Sequence, residues 1–216
     1  MRYIALLIII SMAAFGTYAQ DRNAEKLLEA LSEKHNAYEN IKADFTFHYK
    51  NLQTEGENEW TGKIIMQGEK YKLELKNSTI YYDGKTLWNH LHDPNEVNIS
   101  EPPRQEDSDI INHPHQIFDI YQKDFKYKFL GKETVNRQEV YVVDLYPKEL
   151  DKDYSRIRLN LTQNDVQIHS ARIFAKDGSR YQIEIKNMQT NQAIGDSTFV
   201  FNEEAHPDAE VIDMRF

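Results

Sequence analysis

The stretch from residue 71 to residue 90 reads YKLELKNSTIYYDGKTLWNH and decides the fold, because it holds three apolar runs separated by turn residues. Tyr71, Leu73 and Leu75 alternate with charged residues, which is the period of a half-buried antiparallel strand. Asp83-Gly84 lies between the next two runs and predicts a tight hairpin turn with two positive-φ positions. No side chain in this stretch has the character of a catalyst, so it predicts a sheet with one apolar face.

The same alternation recurs along the chain and predicts about ten or eleven short strands. The alternating segments from which these strands are predicted begin near Ile41, Trp60, Tyr71, Ile80, Thr86, Val97, Phe125, Val140, Ile157, Ile168, Tyr181 and Thr198. Asp177-Gly178 is a second hairpin signal. The strands follow one another without helical crossovers, which favours a single antiparallel meander that curls at this number of strands.

Two helices are predicted beside the strands. Asp21 can cap a helix whose apolar residues Ala24, Leu27, Leu28 and Leu31 form one stripe. After an irregular loop at residues 101–112, a short amphipathic helix is predicted around Ile117 and Phe118. Helices with one apolar stripe need an apolar surface to cover. We therefore expect a mainly β fold, an incompletely closed antiparallel β-barrel of about eleven strands with a helical lid.

Residues 1–19 have the pattern of a secretory signal peptide. Arg2 is a basic start, an apolar run follows to Phe15, and small residues flank a cleavage point after Ala19. The apolar run is too short to span a bilayer comfortably. We therefore expect residues 20–216 to form one mature domain, exported and monomeric.

Composition excludes several classes of function. The chain has 216 residues, a net charge of −9 and no cysteine. An acidic surface disfavours nucleic acid as a partner. The lack of cysteine excludes disulfides, thiol catalysis and a lipid-modified N-terminal cysteine. We therefore expect a protein that is not itself a lipoprotein.

Sequence signals for catalysis are missing. The chain has no nucleophile elbow, phosphate-binding glycine loop or dinucleotide fingerprint. His90 with His92, and His113 with His115, are the most plausible metal ligands, but neither pair comes with the third ligand that a zinc site requires. The prediction is a protein without catalysis, cofactor or metal.

An ordered set of short motifs runs along the chain. The most specific is Tyr82-Asp83-Gly84-Lys85-Thr86-Leu87-Trp88, and the strand opening Ile41-Lys42-Ala43-Asp44-Phe45 is another. Further segments of the set are Gly62-Lys63-Ile64, Tyr71-Lys72-Leu73-Glu74, Leu145-Tyr146-Pro147, Ile157-Arg158-Leu159, Asp177-Gly178 and Phe199-Val200-Phe201. Together they extend over nearly the whole predicted mature chain, and in this order they resemble the LolA type of periplasmic lipoprotein carrier.

The resemblance implies a periplasmic carrier that takes lipoproteins released from the inner membrane to the outer membrane. Its implied cargo is lipoprotein acyl chains, and its implied partners are an ATP-driven inner-membrane exporter and an outer-membrane acceptor. Well-studied members of the family carry an Arg on the strand equivalent to residues 62–75, where it helps to hold the lid closed. This chain has no Arg there, so the resemblance does not carry that lid mechanism over.

Apolar residues of the predicted sheet face and lid are the candidate acyl-chain contacts. They are Leu27, Leu31, Phe45, Phe47, Ile64, Met66, Leu73, Trp88, Ile117 and Phe118. Alternation alone does not separate a lined cavity from a filled core. Two alternatives therefore stay open: a binding protein for another lipid or hydrophobic ligand, and a secreted interaction domain with a filled core.

Overall fold

The computed structural model describes residues 21–101 and 125–215. Within them lie one α-helix, twelve strands and two 3-10 helices. The α-helix, α1, is Arg22–Asn36, and the 3-10 helices are Asp196–Phe199 and Glu203–Ala205. The strands are β1 Ile41–Asn51, β2 Glu57–Gln67, β3 Lys70–Glu74, β4 Ser78–Tyr82, β5 Leu87–Leu91, β6 Glu96–Ser100, β7 Phe125–Val135, β8 Gln138–Pro147, β9 Tyr154–Thr162, β10 Ile168–Ala175, β11 Ser179–Thr190 and β12 Glu210–Asp213.

All twelve strands form one open sheet. Their order is β12-β6-β5-β4-β3-β2-β1-β11-β10-β9-β8-β7, so β12 and β7 are its two edges. Neighbours in sequence pair through turns, while the β1–β11 pairing joins the two runs of strands. The sheet does not close into a barrel, which confirms the prediction of a mainly β, unclosed architecture with a helix.

The main core covers one face of the sheet, which we call the inner face. Residues directly opposite each other on paired strands share a face. Ile64 therefore stands beside Ala43 and Leu73, and the same face continues through Ile183 on β11 to Leu159 on β9. These residues belong to a single apolar cluster. Every second side chain of these strands therefore lies on the inner face and packs in the core.

Helix α1 packs on the inner face. The Asp21 side chain caps it by accepting hydrogen bonds from the backbone N–H groups of Asn23 and Ala24, as predicted. Its stripe residues Leu28 and Leu31 are buried in the main core. The second carboxylate oxygen of Asp21 also accepts a hydrogen bond of 3.0 Å from the backbone N–H of Phe129 on β7. The helix start is therefore tied to the β7 edge.

A smaller second core covers the other face, here called the outer face, behind β4–β6. Val97, Ile99 and His90 are buried there together with Phe199 and Phe201. The Phe201 ring lies 5.2 Å from His90 between ring centroids. Residues 196–213, which we call the C-terminal clasp, thus press on the outer face of the short strands.

The structure corrects the prediction of a strand over Thr198–Phe201. Residues 196–199 form a 3-10 helix, and the following extended residues pair with no strand among those described. The apolar alternation is real, because Phe199 and Phe201 are buried and Val200 is exposed. That alternation arises from packing on the outer face rather than from a β-ladder. The prediction also missed β12, which pairs with β6 in parallel, so the sheet is not wholly antiparallel.

The Asp83-Gly84 hairpin is confirmed, but its predicted turn type is wrong. The loop spans residues 83–86, and only Gly84 has a positive φ, of 97°. The Asp83 carboxylate accepts hydrogen bonds of 2.8 Å from the backbone N–H groups of Lys85 and Thr86. The aspartate therefore closes the loop with its side chain, as an Asx turn does, instead of entering a left-handed conformation.

Two further points bound the fold. No helix in the described residues is both long and apolar enough to cross a membrane. The helix predicted around Ile117 and most of the loop at residues 101–112 lie outside the described residues.

Candidate functional site

Six of the predicted contact residues come together in the core of the inner face. Their side chains are at most 9% exposed. They are Leu31 on α1, Phe45 and Phe47 on β1, Ile64 and Met66 on β2, and Leu73 on β3. They form the floor of the site rather than its accessible wall.

Half-buried apolar side chains surround this floor. Leu27 on α1 packs against the core and remains partly exposed. Ile80, Tyr82 and Leu87 do the same on β4 and β5, and so does Phe129 on β7. Because they pack on the core yet keep surface open, these are the side chains that an apolar ligand can reach first. Beyond these side chains the inner face becomes polar, because Asn89 on β5 stands opposite Asn98 on β6.

Trp88 does not join the other predicted residues, and its assignment to their face was wrong. It stands opposite Tyr81 on β4 and Ile99 on β6, on the outer face. The inner-face residue of this strand is Leu87, which stands opposite Tyr82. The loop at residues 83–86 lets Tyr82 pair directly with Leu87. Directly paired residues share a face, so Leu87 lies on the inner face and Trp88 on the outer one.

An open groove of about 770 Å³ reaches the inner face at the end of β3. Phe45, Trp60, Gly62 and Leu75 contribute its apolar part, and charged residues such as Lys63 contribute its rim. The Trp60 ring stacks on Phe47 with 4.3 Å between centroids and is 37% exposed. A volume of this size is in the range of small-ligand sites.

Gly62 is required in this groove by close packing. A Cβ atom at this position would lie 2.5 Å from Cζ of Phe45 and 2.8 Å from the backbone oxygen of Glu74. The absence of a side chain lets the Phe45 ring lie over the strand, so any substitution would push Phe45 out of the floor.

Two tyrosines lie side by side on the inner face at β3 and β4. Burial, followed by the proximity of Tyr82, raises the pKa of Tyr71 from 10.0 to about 12. The pKa of Tyr82 is also raised, by burial and then by Glu69 and Asp83. Their rings lie 5.4 Å apart between centroids. A tyrosine is protonated at neutral pH even without such a shift, so the raised pKa values reflect the desolvation of the two hydroxyls on the inner face.

The histidines do not form a metal site in the described residues. The Nε2 atom of His90 lies 3.1 Å from the Asn95 side-chain oxygen, and that of His92 lies 3.0 Å from the Thr79 hydroxyl. No group of three or more His, Cys, Asp or Glu side chains that could hold a metal occurs in residues 21–101 and 125–215. His113 and His115 lie outside the described residues, as do the candidate contacts Ile117 and Phe118.

Sequence reasoning missed the accessible part of the wall. Ile80, Tyr82, Leu87 and Phe129 were not among the predicted contacts, nor was Trp60. Alternation was sufficient to place Ile80 and Tyr82 on the inner face, since they stand directly opposite Leu73 and Tyr71. Selecting the largest apolar side chains instead favoured Trp88 over Leu87.

Comparison with known proteins identifies similar sequences and folds. The family model described as outer membrane lipoprotein carrier protein LolA matches residues 36–202. No curated protein matches the chain. An uncharacterized conserved protein from Thermus thermophilus is 10% identical, with a TM-score of 0.58, and the match covers 88% of this chain and 99% of that one.

Two mycobacterial structures are also similar in fold. The lipoprotein LppX from Mycobacterium tuberculosis is 10% identical, with a TM-score of 0.51 and coverage of 81% of this chain and 98% of that one. LprF from Mycobacterium bovis is 12% identical, with a TM-score of 0.50 and coverage of 82% and 98%. At these identities the likeness concerns the fold alone.

Proposed function

Because this chain belongs to the family of outer membrane lipoprotein carrier protein LolA, we propose that it carries lipoproteins across the periplasm by binding their acyl chains on its inner face. The observation that carries the proposal is the half-buried apolar wall, which includes Tyr82, Leu87 and Phe129 around a closed apolar floor. The proposal includes export by a signal peptide at residues 1–19, with residues 20–216 as one carrier domain that binds without catalysis.

The energetics of an acyl chain favour such a carrier. About fifteen methylenes at about 0.8 kcal/mol each make free exposure of one chain to water cost about 12 kcal/mol. A carrier has to cover this surface and still release it to an acceptor. Half-buried side chains that already pack on a core offer apolar contact without reorganising that core. We propose an ATP-driven inner-membrane exporter as the donor of cargo and an outer-membrane protein as the acceptor.

The first test is chemical identification of the cargo. The full-length chain is expressed in a Gram-negative host, purified without detergent, and analysed by mass spectrometry for bound lipoprotein and lipid. A fluorescent palmitoylated peptide then measures affinity, with free palmitate as competitor. The proposal requires the acylated peptide to bind more tightly than palmitate. Preference for free lipid would indicate a different lipid-binding function, and binding of neither by the folded protein would overturn the proposal.

Two adjacent residues provide a matched pair for locating the site. Leu87 lies on the inner face and Trp88 on the outer face of β5. Leu87→Ala removes less apolar surface than Trp88→Ala, yet it should weaken peptide binding about fivefold because about 1 kcal/mol of ligand contact is lost. Trp88→Ala should leave affinity unchanged, once circular dichroism has confirmed that both variants are folded. The reverse order of effects would exclude the inner face as the site.

A further inference from the structure

The outer face of the long strands has two adjacent cross-strand rows rich in basic side chains. Each row crosses β9, β10, β11 and β1 with directly opposed residues. The first row contains Arg158, Arg172, Gln182 and His48, and the second contains Arg156, Phe174, Arg180 and Lys50. We call them the arginine rows. They stand out because the chain has a net charge of −9.

Carboxylates occupy the two ends of the arginine rows. Asp144 on β8 is buried and accepts hydrogen bonds from Arg158 at 2.7 and 3.0 Å and from Arg156 at 3.3 Å. At the other end, Glu59 lies 2.9 Å from His48, and Glu57 lies 3.6 Å from Lys50. The outermost basic groups are therefore balanced within the protein.

The two central guanidinium groups have no such balance. In residues 21–101 and 125–215, no carboxylate lies within 4.0 Å of Arg172 or Arg180. Arg172 Nε donates to the neutral side-chain oxygen of Gln182 at 2.8 Å. Arg180 Nη1 donates to the backbone oxygens of Ser179 and Ala175, at 2.8 and 3.3 Å. These contacts fix the groups in place without neutralising them.

The local electrostatic field agrees with this geometry. The pKa of Arg172 is lowered, first because its guanidinium is partly desolvated and then because Arg158 and Arg180 add like charge. The pKa of Arg158, by contrast, is raised by its hydrogen bonds to Asp144. An incoming carboxylate at the centre of the rows would therefore meet excess positive charge.

A groove of about 470 Å³ gives access to these two arginines. Its walls include both of them together with Phe174, Leu52 and Lys50. Leu52 is 56% exposed, and the guanidinium carbon of Arg180 lies 5.0 Å from the centroid of the Phe174 ring. Fixed guanidinium groups beside apolar surface suit carboxylates that are carried on a chain with neighbouring apolar groups.

We infer that the arginine rows bind an acidic segment of a protein partner, whose carboxylates pair with Arg172 and Arg180 and whose apolar side chains contact Phe174 and Leu52. A flat anionic membrane fits less well, because it would also face the carboxylates of Glu57 and Glu184, which line the groove. A narrow peptide can reach the centre between these carboxylates. The groove lies on the face opposite the proposed acyl site, so a carrier could dock here while its cargo stays bound.

A peptide pair tests this inference directly. The fluorescein-labelled peptide Glu-Glu-Leu-Glu-Glu is titrated with the full chain at low salt by fluorescence anisotropy, beside the control peptide Gln-Gln-Leu-Gln-Gln. The acidic peptide should bind more tightly, and added salt should weaken it. Replacing both central arginines (R172Q with R180Q) should reduce its affinity by about tenfold or more, since charge-assisted hydrogen bonds are lost.

Charge-matched and ligand-matched controls decide the outcome. Lys26 and Lys85 are exposed cations away from the rows, so K26Q with K85Q should change peptide affinity less than about twofold. Equal loss in the two double variants would overturn the inference, as would equal binding of the two peptides. Displacement of the peptide by millimolar inorganic phosphate at constant ionic strength, or arginine-dependent binding to phosphatidylglycerol vesicles without peptide binding, would also overturn it. Palmitoylated-peptide affinity should be unchanged in R172Q with R180Q, which keeps this test separate from that of the proposed function.

Discussion

The two ends of the sheet differ in how completely their inner faces are buried. In the long-strand half, which consists of β1 and β7–β11, the inner-face residues Val143, Leu145, Ile157 and Leu159 are completely buried. In the short-strand half, which consists of β4–β6, the inner-face residues Ile80, Tyr82 and Leu87 stay half-buried. There the complete burial is on the outer face, under the C-terminal clasp.

This difference indicates how one sheet can be both stable and open to a ligand. Complete burial in the long-strand half supplies most of the hydrophobic stabilisation on the inner side. The short-strand half is held from behind by Val97, Ile99, Phe199 and Phe201, at 0%, 7%, 0% and 5% exposure. Because its support lies on the outer face, its inner face does not need to be filled. The two halves therefore divide folding and proposed binding between them.

Leu159→Ala and Ile80→Ala should separate these roles most strongly. Leu159 is fully buried, so its truncation should lower the free energy of unfolding by about 4 kcal/mol through lost burial and a residual cavity. Ile80 is half-buried, and its truncation should cost about 1 kcal/mol. Urea unfolding measures both. Palmitoylated-peptide affinity should show the reverse order, and a larger stability loss in Ile80→Ala would contradict the division between halves.

Phe201→Ala tests whether the clasp supports the short strands. Removing this 5% exposed ring should lower stability by about 3 kcal/mol, because it opens the second core beside His90. Hydrogen exchange should show lost protection in β5 and β6 while β8 and β9 keep theirs. The exposed neighbour Val200 provides a control, since Val200→Ala should change neither measurement appreciably. Uniform loss of protection over the whole sheet would show that the clasp is not a local support.

Alternation predicted the long-strand half well, because its inner residues are apolar at every second position and β7 to β11 pair in the order of the sequence. The same reasoning failed where packing rather than hydrogen bonding produced the pattern. Phe199 and Phe201 alternate like a strand but pack on the outer face. The parallel β12 strand could not be predicted either, since its pairing with β6 depends on where the clasp docks.

The candidate site was only partly predictable for a related reason. Periodicity groups residues by face, so it found the floor formed by Phe45, Ile64 and Leu73. It gives no measure of exposure, and the accessible wall therefore appeared only in the structure. Trp88 shows the limit of choosing by size, because a smaller neighbour, Leu87, occupies the inner face. The sequence alone did not predict the arginine rows, because their members lie on four different strands. They become neighbours only through the pairing register of those strands.

The smallest expected effect is the pH dependence of the free energy of unfolding that arises from Tyr71, which lies on the inner face between the two halves. Tyr71 ionises near pH 10.0 in the unfolded chain and near 12 in the folded one. Between these values the unfolded state releases a proton that the folded state retains, so raising the pH favours unfolding. Stability should be intact below pH 10 and fall by about 2 kcal/mol as the pH rises to 12.

Tyr71→Phe provides the matched comparison, because it keeps the ring and removes the titrating hydroxyl. Urea unfolding at pH 8 and at pH 11.5 should show a smaller loss of stability on alkalinisation in the variant than in the wild type. Part of the wild-type loss should persist, since the pKa of Tyr82 is also raised. An identical loss in both proteins would mean that water reaches the Tyr71 hydroxyl in the folded state. Solvent would then reach the inner face at β3 more than the 5% exposure of Tyr71 indicates. The boundary between the buried floor and the accessible wall would therefore lie at β3 instead of β4.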